Sequence, residues 1–282
     1  VSANFGYSVS TAGDLNGDGY SDIIIGAHLY DNGESDEGQV FVWYGSSSGL
    51  GANGTPGNAD WTVQGNQATA EFGSSVATAG DVNGDGYSDV IVGAQSYSNG
   101  NNNEGMAFVY YGSAAGLSSV VCWNGEGNQG NALFGSSVSG AGDVNGDGYS
   151  DVIVGAIRFD NGQTDEGRAF VYHGSATGLS TAADRTFESN QAGAYLGNVS
   201  AGGDVNGDGY SDVIVGARFY TNGETGEGRA YVFPGSASGL PASANWTAEG
   251  NQSLIISGAQ FGLSVSTAGD VNGDGYSDVI VG

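Results

Sequence analysis

One nine-residue segment recurs five times in this chain and constrains its fold more than any other feature. The second copy reads Asp81-Val82-Asn83-Gly84-Asp85-Gly86-Tyr87-Ser88-Asp89, and the only substitution among the other copies is Leu15 for valine. Those copies begin at Asp14, Asp143, Asp204 and Asp270. Side chains that carry oxygen occupy positions 1, 3, 5 and 9, and glycine occupies position 6, where it permits a sharp bend. This pattern is typical of a calcium-binding loop.

The loops predict five metal sites. Calcium takes about six to eight oxygen ligands. Positions 1, 3, 5 and 9 can supply side-chain oxygens, position 7 its backbone carbonyl, and water the remainder. We therefore predict about five Ca²⁺ ions, one per loop, held by Asp14, Asn16, Asp18, Tyr20, Asp22; Asp81, Asn83, Asp85, Tyr87, Asp89; Asp143, Asn145, Asp147, Tyr149, Asp151; Asp204, Asn206, Asp208, Tyr210, Asp212; and Asp270, Asn272, Asp274, Tyr276, Asp278. The alternative is a set of hairpin turns without metal, in which the crowded carboxylates would repel one another.

The residues after each loop predict strands. An EF-hand would continue into an amphipathic helix and place a glutamate at position 12, whereas this chain has Val92 there. The continuation Val90-Ile91-Val92-Gly93 is a β-branched run closed by glycine, which is typical of a buried strand. Each loop therefore joins two strands.

The loops belong to a longer repeat, since they begin 67, 62, 61 and 66 residues apart. Each unit has an opening strand after Phe-Gly, the loop, a β-branched strand, a third strand after Glu-Gly, and a weaker fourth strand. Four short strands per unit predict an all-β fold, a β-propeller of four-stranded antiparallel blades. We expect one propeller region over residues 1–282, with units at approximately 1–67, 68–129, 130–191, 192–256 and a partial unit at 257–282.

These residues resemble the FG-GAP repeats of integrin α-subunit propellers and their bacterial relatives. The resemblance is carried by the Phe-Gly opening, the Asp-x-Asn-x-Asp-Gly-x-x-Asp loop, and Val-Gly-Ala in place of the family's Gly-Ala-Pro. Only Leu196-Gly197 departs from Phe-Gly, which predicts a weaker packing contact there. The resemblance covers essentially the whole chain. It implies blades around a central axis, usually seven, with calcium between the first two strands of a blade, and extracellular recognition rather than catalysis.

The chain holds four full units and about half of another. A seven-bladed ring with this repeat would need roughly 430 residues. An open arc would expose apolar blade faces. We therefore expect further residues, a smaller ring with a composite blade, or closure by a neighbouring chain.

The charge of the chain excludes several partners. Its 31 acidic residues face five arginines and no lysine, which gives a formal net charge of −26. Nucleic-acid binding requires clustered cations, so we expect no nucleic-acid partner, and we expect no direct membrane insertion. Five divalent ions would bring the formal charge to −16.

The cellular location is inferred from cysteine and calcium together. Cys122 is the only cysteine, so no disulfide can form within the chain. Open calcium loops usually need the higher calcium concentration outside the cell. We therefore predict a secreted or cell-surface protein. Residues 1–16 do not read as a signal peptide, so we expect an export signal to have been removed or to lie outside this sequence.

The sequence predicts no catalytic residue and no further cofactor. Gly45-Ser46-Ser47-Ser48-Gly49 matches a nucleophile motif, but it lies in a turn that recurs with alanine in the other units. His28 and His173 occupy different positions in their units. Four glutamates recur in a Glu-Gly turn, to which we assign a structural role: Glu37, Glu104, Glu166 and Glu227. Four loop aromatics are expected to wedge between blades, with ligand contact as the alternative: Tyr30, Tyr97, Phe159 and Tyr220.

Three functions remain open. The first is an extracellular calcium-binding module for interaction or cell adhesion, whose partner is a protein, a carbohydrate or another copy of itself. The second is a structural subunit of an extracellular array or fibre. The third is an accessory or catalytic domain of a polysaccharide-acting enzyme, which would need site residues unique to one unit. We favour the first and predict that the chain is not an enzyme.

Overall fold

The computed structural model describes residues 3–51, 53–252 and 259–282. The first residue of the first unit and the boundary at 256 between the fourth and fifth units lie outside these ranges. Within them the regular structure consists of strands and one 3₁₀ turn at Pro56–Asn58. No helix of the described residues is long and apolar enough to cross a membrane. The all-β prediction is confirmed.

The strands form four sheets of four strands and a final pair, and we call each sheet a blade. The first blade contains β1 (Ser8–Gly13), β2 (Asp22–Ala27), β3 (Gln39–Trp43) and β4 (Trp61–Gln64). The second contains β5 (Phe72–Gly80), β6 (Asp89–Ala94), β7 (Met106–Tyr110) and β8 (Trp123–Glu126). The third contains β9 (Phe134–Gly142), β10 (Asp151–Ala156), β11 (Arg168–Tyr172) and β12 (Arg185–Glu188). The fourth contains β13 (Leu196–Gly203), β14 (Asp212–Ala217), β15 (Arg229–Phe233) and β16 (Trp246–Glu249), and the last pair is β17 (Val265–Gly269) and β18 (Asp278–Val281).

Each blade is an antiparallel meander in which sequence neighbours pair. In the second blade, Val92 lies opposite Val76 on β5 and Phe108 on β7. The strands β6, β10 and β14 are buried at all six positions, as expected of β-branched strands in the middle of a stack. Each nine-residue loop connects the first two strands of its blade, and its position 9 is the first residue of the second strand.

The cores lie between blades rather than within one. Val42 and Trp61 of the first blade pack with Val92 and Phe108 of the second, and equivalent clusters join the second to the third and the third to the fourth. First strands of consecutive blades lie side by side, and Ser75 Oγ accepts a hydrogen bond from the Val138 amide across one such junction at 3.0 Å. The arrangement is a partial β-propeller, and no sheet closes on itself in the ranges described.

The repeated glycines of the motif explain how closely the blades approach. A Cβ on Gly93 would collide with the carbonyl oxygen of Gly135 in the next blade, and the same collision recurs at each later junction. Glycine is therefore required at this crossing by close backbone approach. The departure at Leu196 is accommodated, because this side chain is only 1% exposed and joins the core between the third and fourth blades.

Candidate metal centres

The backbone of each loop folds around the position-1 aspartate. In the second blade, Asp81 Oδ1 accepts hydrogen bonds from the amides of Gly84 at 2.7 Å and Asp85 at 3.1 Å, and Oδ2 accepts one from Gly86 at 2.8 Å. Gly86 has φ +90°, a left-handed conformation that glycine adopts without strain. The same three bonds recur in the other four loops. The sequence therefore specifies this loop locally.

Positions 3 and 5 lie beside position 1. The amide of Asp85 is shared between Asp81 Oδ1 and Asn83 Oδ1, the latter at 2.9 Å. Asn83 Nδ2 donates to Asp85 Oδ2 at 3.0 Å, and Asp85 Oδ1 accepts from the amide of Tyr87 at 3.1 Å. The structure thus brings together the side-chain oxygens of the first three predicted ligands. The same contacts recur in the first, third and fourth loops, and the two amide bonds recur in the fifth.

The position-9 aspartate lies at the base of the loop. Asp89 is fully buried, and its carboxylate accepts hydrogen bonds from the amides of Val82 and Gly112, each at 2.9 Å. The second bond ties the loop to the turn that follows the third strand. Equivalent bonds hold Asp22, Asp151 and Asp212. Asp278 of the last pair accepts a bond from Val271 at 2.8 Å.

These buried carboxylates carry raised pKa values. Burial raises the pKa of Asp89 to about 7, its two amide partners lower it, and the charges of Asp85 and Asp81 raise it again. Burial likewise raises the pKa of Asp151 to about 6. Asp89 forms no ion pair with the residues described. A carboxylate that is buried beside two others without a cation is costly, because charge in a low dielectric needs compensation.

The donor set suits calcium. Each loop offers three carboxylates, one amide oxygen and one backbone carbonyl within nine residues, and hard oxygen donors of this kind are what Ca²⁺ prefers. Among the described residues, however, no group of three or more His, Cys, Asp or Glu side chains is arranged to hold a metal ion. The position-9 carboxylate is engaged at the base of the loop by two amides, whereas positions 1, 3 and 5 lie together above it. Since a carboxylate oxygen can accept more than one contact, these hydrogen bonds are compatible with ligation.

Consecutive loops contact each other, which the sequence analysis missed. The ring of Tyr149 in the third loop lies where a side chain on Gly84 of the second loop would be, and the Ser150 amide donates to the Asp81 carbonyl at 2.9 Å. The same pair of contacts joins every consecutive pair of loops. This contact could have been suspected from the sequence, because all five loops have glycine at position 4 and tyrosine at position 7. The metal prediction explained both residues by the folding of a single loop.

The four repeated glutamates and three of the four loop aromatics behave as predicted. Glu104 is fully buried, and its carboxylate accepts hydrogen bonds from the amides of Asn99 and Asn101, so the Glu-Gly pair holds the polar loop in place. Glu37 and Glu166 accept the same two bonds, and Glu227 accepts the first of them, from the amide of Asn222. The loop aromatics Tyr97, Phe159 and Tyr220 pack against the cores between blades, as predicted for a wedge. Tyr30 differs, because it packs against Phe41 and Trp43 of its own blade.

Comparison with known proteins gives a consistent family assignment. The FG-GAP repeat family matches residues 5–43, 72–110, 134–172, 196–233 and 261–282. Each of the first four matches begins at the aromatic or leucine that precedes the opening glycine and ends in the third strand of its blade. Each match also contains one complete nine-residue loop.

Among curated proteins, the chain is similar to several integrin α-subunits. It is 37% identical to integrin alpha-V of Gallus gallus over 169 residues, which is 57% of this chain and 15% of that protein. It is 33% identical to integrin alpha-5 of Xenopus laevis over 189 residues, or 64% of this chain and 17% of that protein. It is 35% identical to integrin alpha-PS2 of Drosophila melanogaster over 171 residues, or 55% and 12% respectively. The chain thus spans less than a fifth of the length of these relatives.

Proposed function

The chain belongs to the FG-GAP repeat family, and from that premise we propose that it is a calcium-binding segment of an extracellular β-propeller that recognises a protein or glycan ligand. The proposal has three parts, which concern the metal, the mechanical role of the metal, and the recognition surface. The similarity to integrin α-subunits supports an interaction or adhesion role.

The metal part rests on one observation, the buried position-9 carboxylate at the base of a loop rich in oxygen donors. In the second blade the ligands would be the side chains of Asp81, Asn83, Asp85 and Asp89 with the carbonyl of Tyr87. Calcium bound there would compensate the negative charge of the buried Asp89 carboxylate, which has no ion-pair partner among the described residues. The other four loops offer the same set, which gives about five ions per chain.

The mechanical role follows from what each loop residue also contacts. Asp89 holds the first turn of its own loop and the turn after the third strand. The carbonyl of Asp81 accepts a hydrogen bond from Ser150 of the next loop. Ordering one loop therefore orders the blade below it and the loop beside it. Calcium would act as a staple in a chain that has a single cysteine and a formal charge of −26.

The recognition part concerns a different surface. The loops between the second and third strands lie at the opposite end of the blades from the metal loops, because adjacent strands run antiparallel. We propose that the ligand binds at this end and that the chain is not an enzyme. The repeating glutamates there are committed to backbone hydrogen bonds, which supports a structural rather than a catalytic assignment.

The test is a binding screen with and without calcium. Chelator-treated protein and calcium-loaded protein are applied to immobilised extracellular-matrix proteins and, separately, to a glycan array. We expect saturable binding to members of one panel that is lost in EGTA and restored by added Ca²⁺. Binding that is unaffected by EGTA, or no binding to either panel by protein shown to be folded, would contradict the proposal.

A further inference from the structure

The repeats differ from one another most clearly at one place. Three positions per unit lie at the end of the blades opposite the metal loops: the residue before the opening Phe-Gly or Leu-Gly, and the two residues after the second strand. The first position is occupied by Asn4, Glu71, Leu133, Tyr195 and Gln260. The second and third are occupied by His28 and Leu29, Gln95 and Ser96, Ile157 and Arg158, and Arg218 and Phe219. Units that are almost identical in their metal loops therefore differ from one another at these three positions.

The backbone at the first of these positions is nevertheless left-handed in every unit. The residue before the opening glycine motif has a left-handed φ throughout, including +51° at Tyr195 and +56° at Leu133. In the second, third and fourth units the amide of this residue donates to the preceding polar loop, as in the bond from Tyr195 to the Asp165 carbonyl at 3.2 Å. Since the fold fixes where these side chains project, their identity is available for a purpose other than folding.

Four of these variable residues meet between the third and fourth blades. The guanidinium carbons of Arg158 and Arg218 lie 5.8 Å and 5.4 Å from the ring centre of Tyr195. The guanidinium carbon of Arg218 also lies 5.3 Å from the ring centre of Phe219. The rings of Tyr195 and Phe219 meet edge to face, with their centres 5.4 Å apart. We call these four residues the arginine cluster.

Neither arginine of the arginine cluster has an acidic partner among the described residues. In the described chain, Arg168 and Arg229 pair with Glu188 and Glu249, whereas Arg158 and Arg218 form no ion pair. The Nε atoms of Arg168, Arg218 and Arg229 are all buried without a hydrogen bond within the described residues, but those of Arg168 and Arg229 have a carboxylate at 3.7 Å and 3.2 Å. Burial lowers the pKa of Arg218, Tyr195 raises it, the neighbouring charge of Arg158 lowers it again, and Tyr7 raises it. Two unpaired, mutually repelling cations stand out in a chain with 31 acidic residues.

We infer that the arginine cluster binds a carboxylate side chain of a protein ligand. Two guanidinium groups offer planar, bidentate donors that suit a carboxylate, and such charge-assisted hydrogen bonds are the strong ones. The formal charge of −26 repels polyanions, which favours a single carboxylate among neutral groups. The guanidiniums already cover the face of Tyr195, so the ring offers little open surface for stacking a sugar. This inference rests on the proposed recognition function and names the chemistry of its ligand.

The test uses a capped peptide with one glutamate between two phenylalanines and a matched peptide in which glutamine replaces the glutamate. Fluorescence anisotropy in millimolar Ca²⁺ should show binding of the glutamate peptide and at least about tenfold weaker binding of the glutamine peptide. Arg158→Gln and Arg218→Gln should each weaken binding of the glutamate peptide about tenfold. Arg168→Gln is the matched control, because it removes the same charge from a paired arginine, and it should change binding less than about twofold.

A second variant distinguishes a loss of binding from a loss of folding. Tyr195→Leu installs the residue that the third unit carries at Leu133 and should weaken binding about threefold while the melting temperature is kept. Equal binding of both peptides, or equal losses in Arg168→Gln and Arg218→Gln, would overturn the inference. Stronger binding of a galacturonate oligosaccharide than of the peptide would also overturn the assignment to a protein ligand. Calorimetric calcium uptake on the same samples separates the two levels: normal uptake without peptide discrimination rejects only the arginine cluster, and absent uptake rejects the proposed function.

Discussion

The two ends of the blades differ in how strictly they repeat. At the metal-loop end, five loops share eight of nine residues and the same hydrogen bonds, and each loop contacts the next. At the opposite end the backbone also repeats, but the side chains change from unit to unit, from His28 to Gln95, Ile157 and Arg218. One end is uniform in structure and chemistry, whereas the other is uniform in structure alone.

The comparison separates stability from recognition. Changes at the metal-loop end should propagate, because Asp89 connects its loop to the turn after the third strand and Asp81 connects its loop to the next blade. Changes at the opposite end should alter ligand binding with little effect on folding, because backbone hydrogen bonds fix the conformation there.

Calcium removal should have the largest effect. EGTA is expected to lower the melting temperature by about 10 °C or more, because several sites lose ligand-linked stability and buried carboxylates lose their neutralising ion. Differential scanning fluorimetry with EGTA and with excess Ca²⁺ measures this. Magnesium at the same concentration is the control and should restore little. An unchanged melting temperature in EGTA would mean that bound calcium does not stabilise the fold.

Asp89→Ala should be more damaging than Asp278→Ala. The first change leaves two buried amides unpaired and removes a metal ligand, so a fall of about 8 °C is expected in calcium. Asp278 is only partly buried, and the fall should be about 2 °C. Thermal melts of the two variants compare a loop inside the stack with the last loop of this chain. Equal effects would mean that burial of the carboxylate does not determine its contribution.

Tyr149→Ala isolates the contact between loops from metal ligation, because position 7 ligates through its backbone. Loss of the ring that covers Gly84 should lower the melting temperature by about 5 °C. Tyr20→Ala is the matched control, since Tyr20 is 42% exposed and a change of no more than about 1 °C is expected. Similar effects in the two variants would contradict coupling between neighbouring loops.

His28→Gln should have the smallest effect and tests the opposite end. Burial lowers the pKa of His28, so the folded chain favours the neutral imidazole. As the pH falls below about 6.5, the unfolded chain takes up a proton that the folded chain does not, and stability decreases until the pH passes the lowered folded value. Glutamine, the residue of the second unit at Gln95, should reduce the loss between about pH 7.5 and pH 5.5 by about 2 °C. A larger fall in melting temperature over this pH range in the variant than in the unmodified chain would contradict the prediction.

Much of the fold could be predicted because its determinants are local. The Val-Ile-Val runs after each loop predict buried strands, and β6, β10 and β14 are buried at every position. The loop geometry follows from aspartate, asparagine and glycine within nine residues, as the bonds to Asp81 show. The ligand role of these residues stays a prediction.

The remaining features depend on contacts between units. Gly93 and Gly135 are both motif glycines, yet nothing in either motif reveals that they meet across a junction between blades. The same holds for Tyr149 over Gly84. Arg158, Tyr195 and Arg218 are far apart in sequence and belong to two blades, so only the packing of those blades brings them together. Repetition predicts what each unit contains, whereas the surface between units requires the structure.

The most direct test of the central claim is a count of bound ions by native mass spectrometry on protein equilibrated with millimolar Ca²⁺. We expect a dominant species that carries about five calcium ions and loses one in Asp89→Ala. A dominant species without calcium, from protein that is folded under the same conditions, would contradict it.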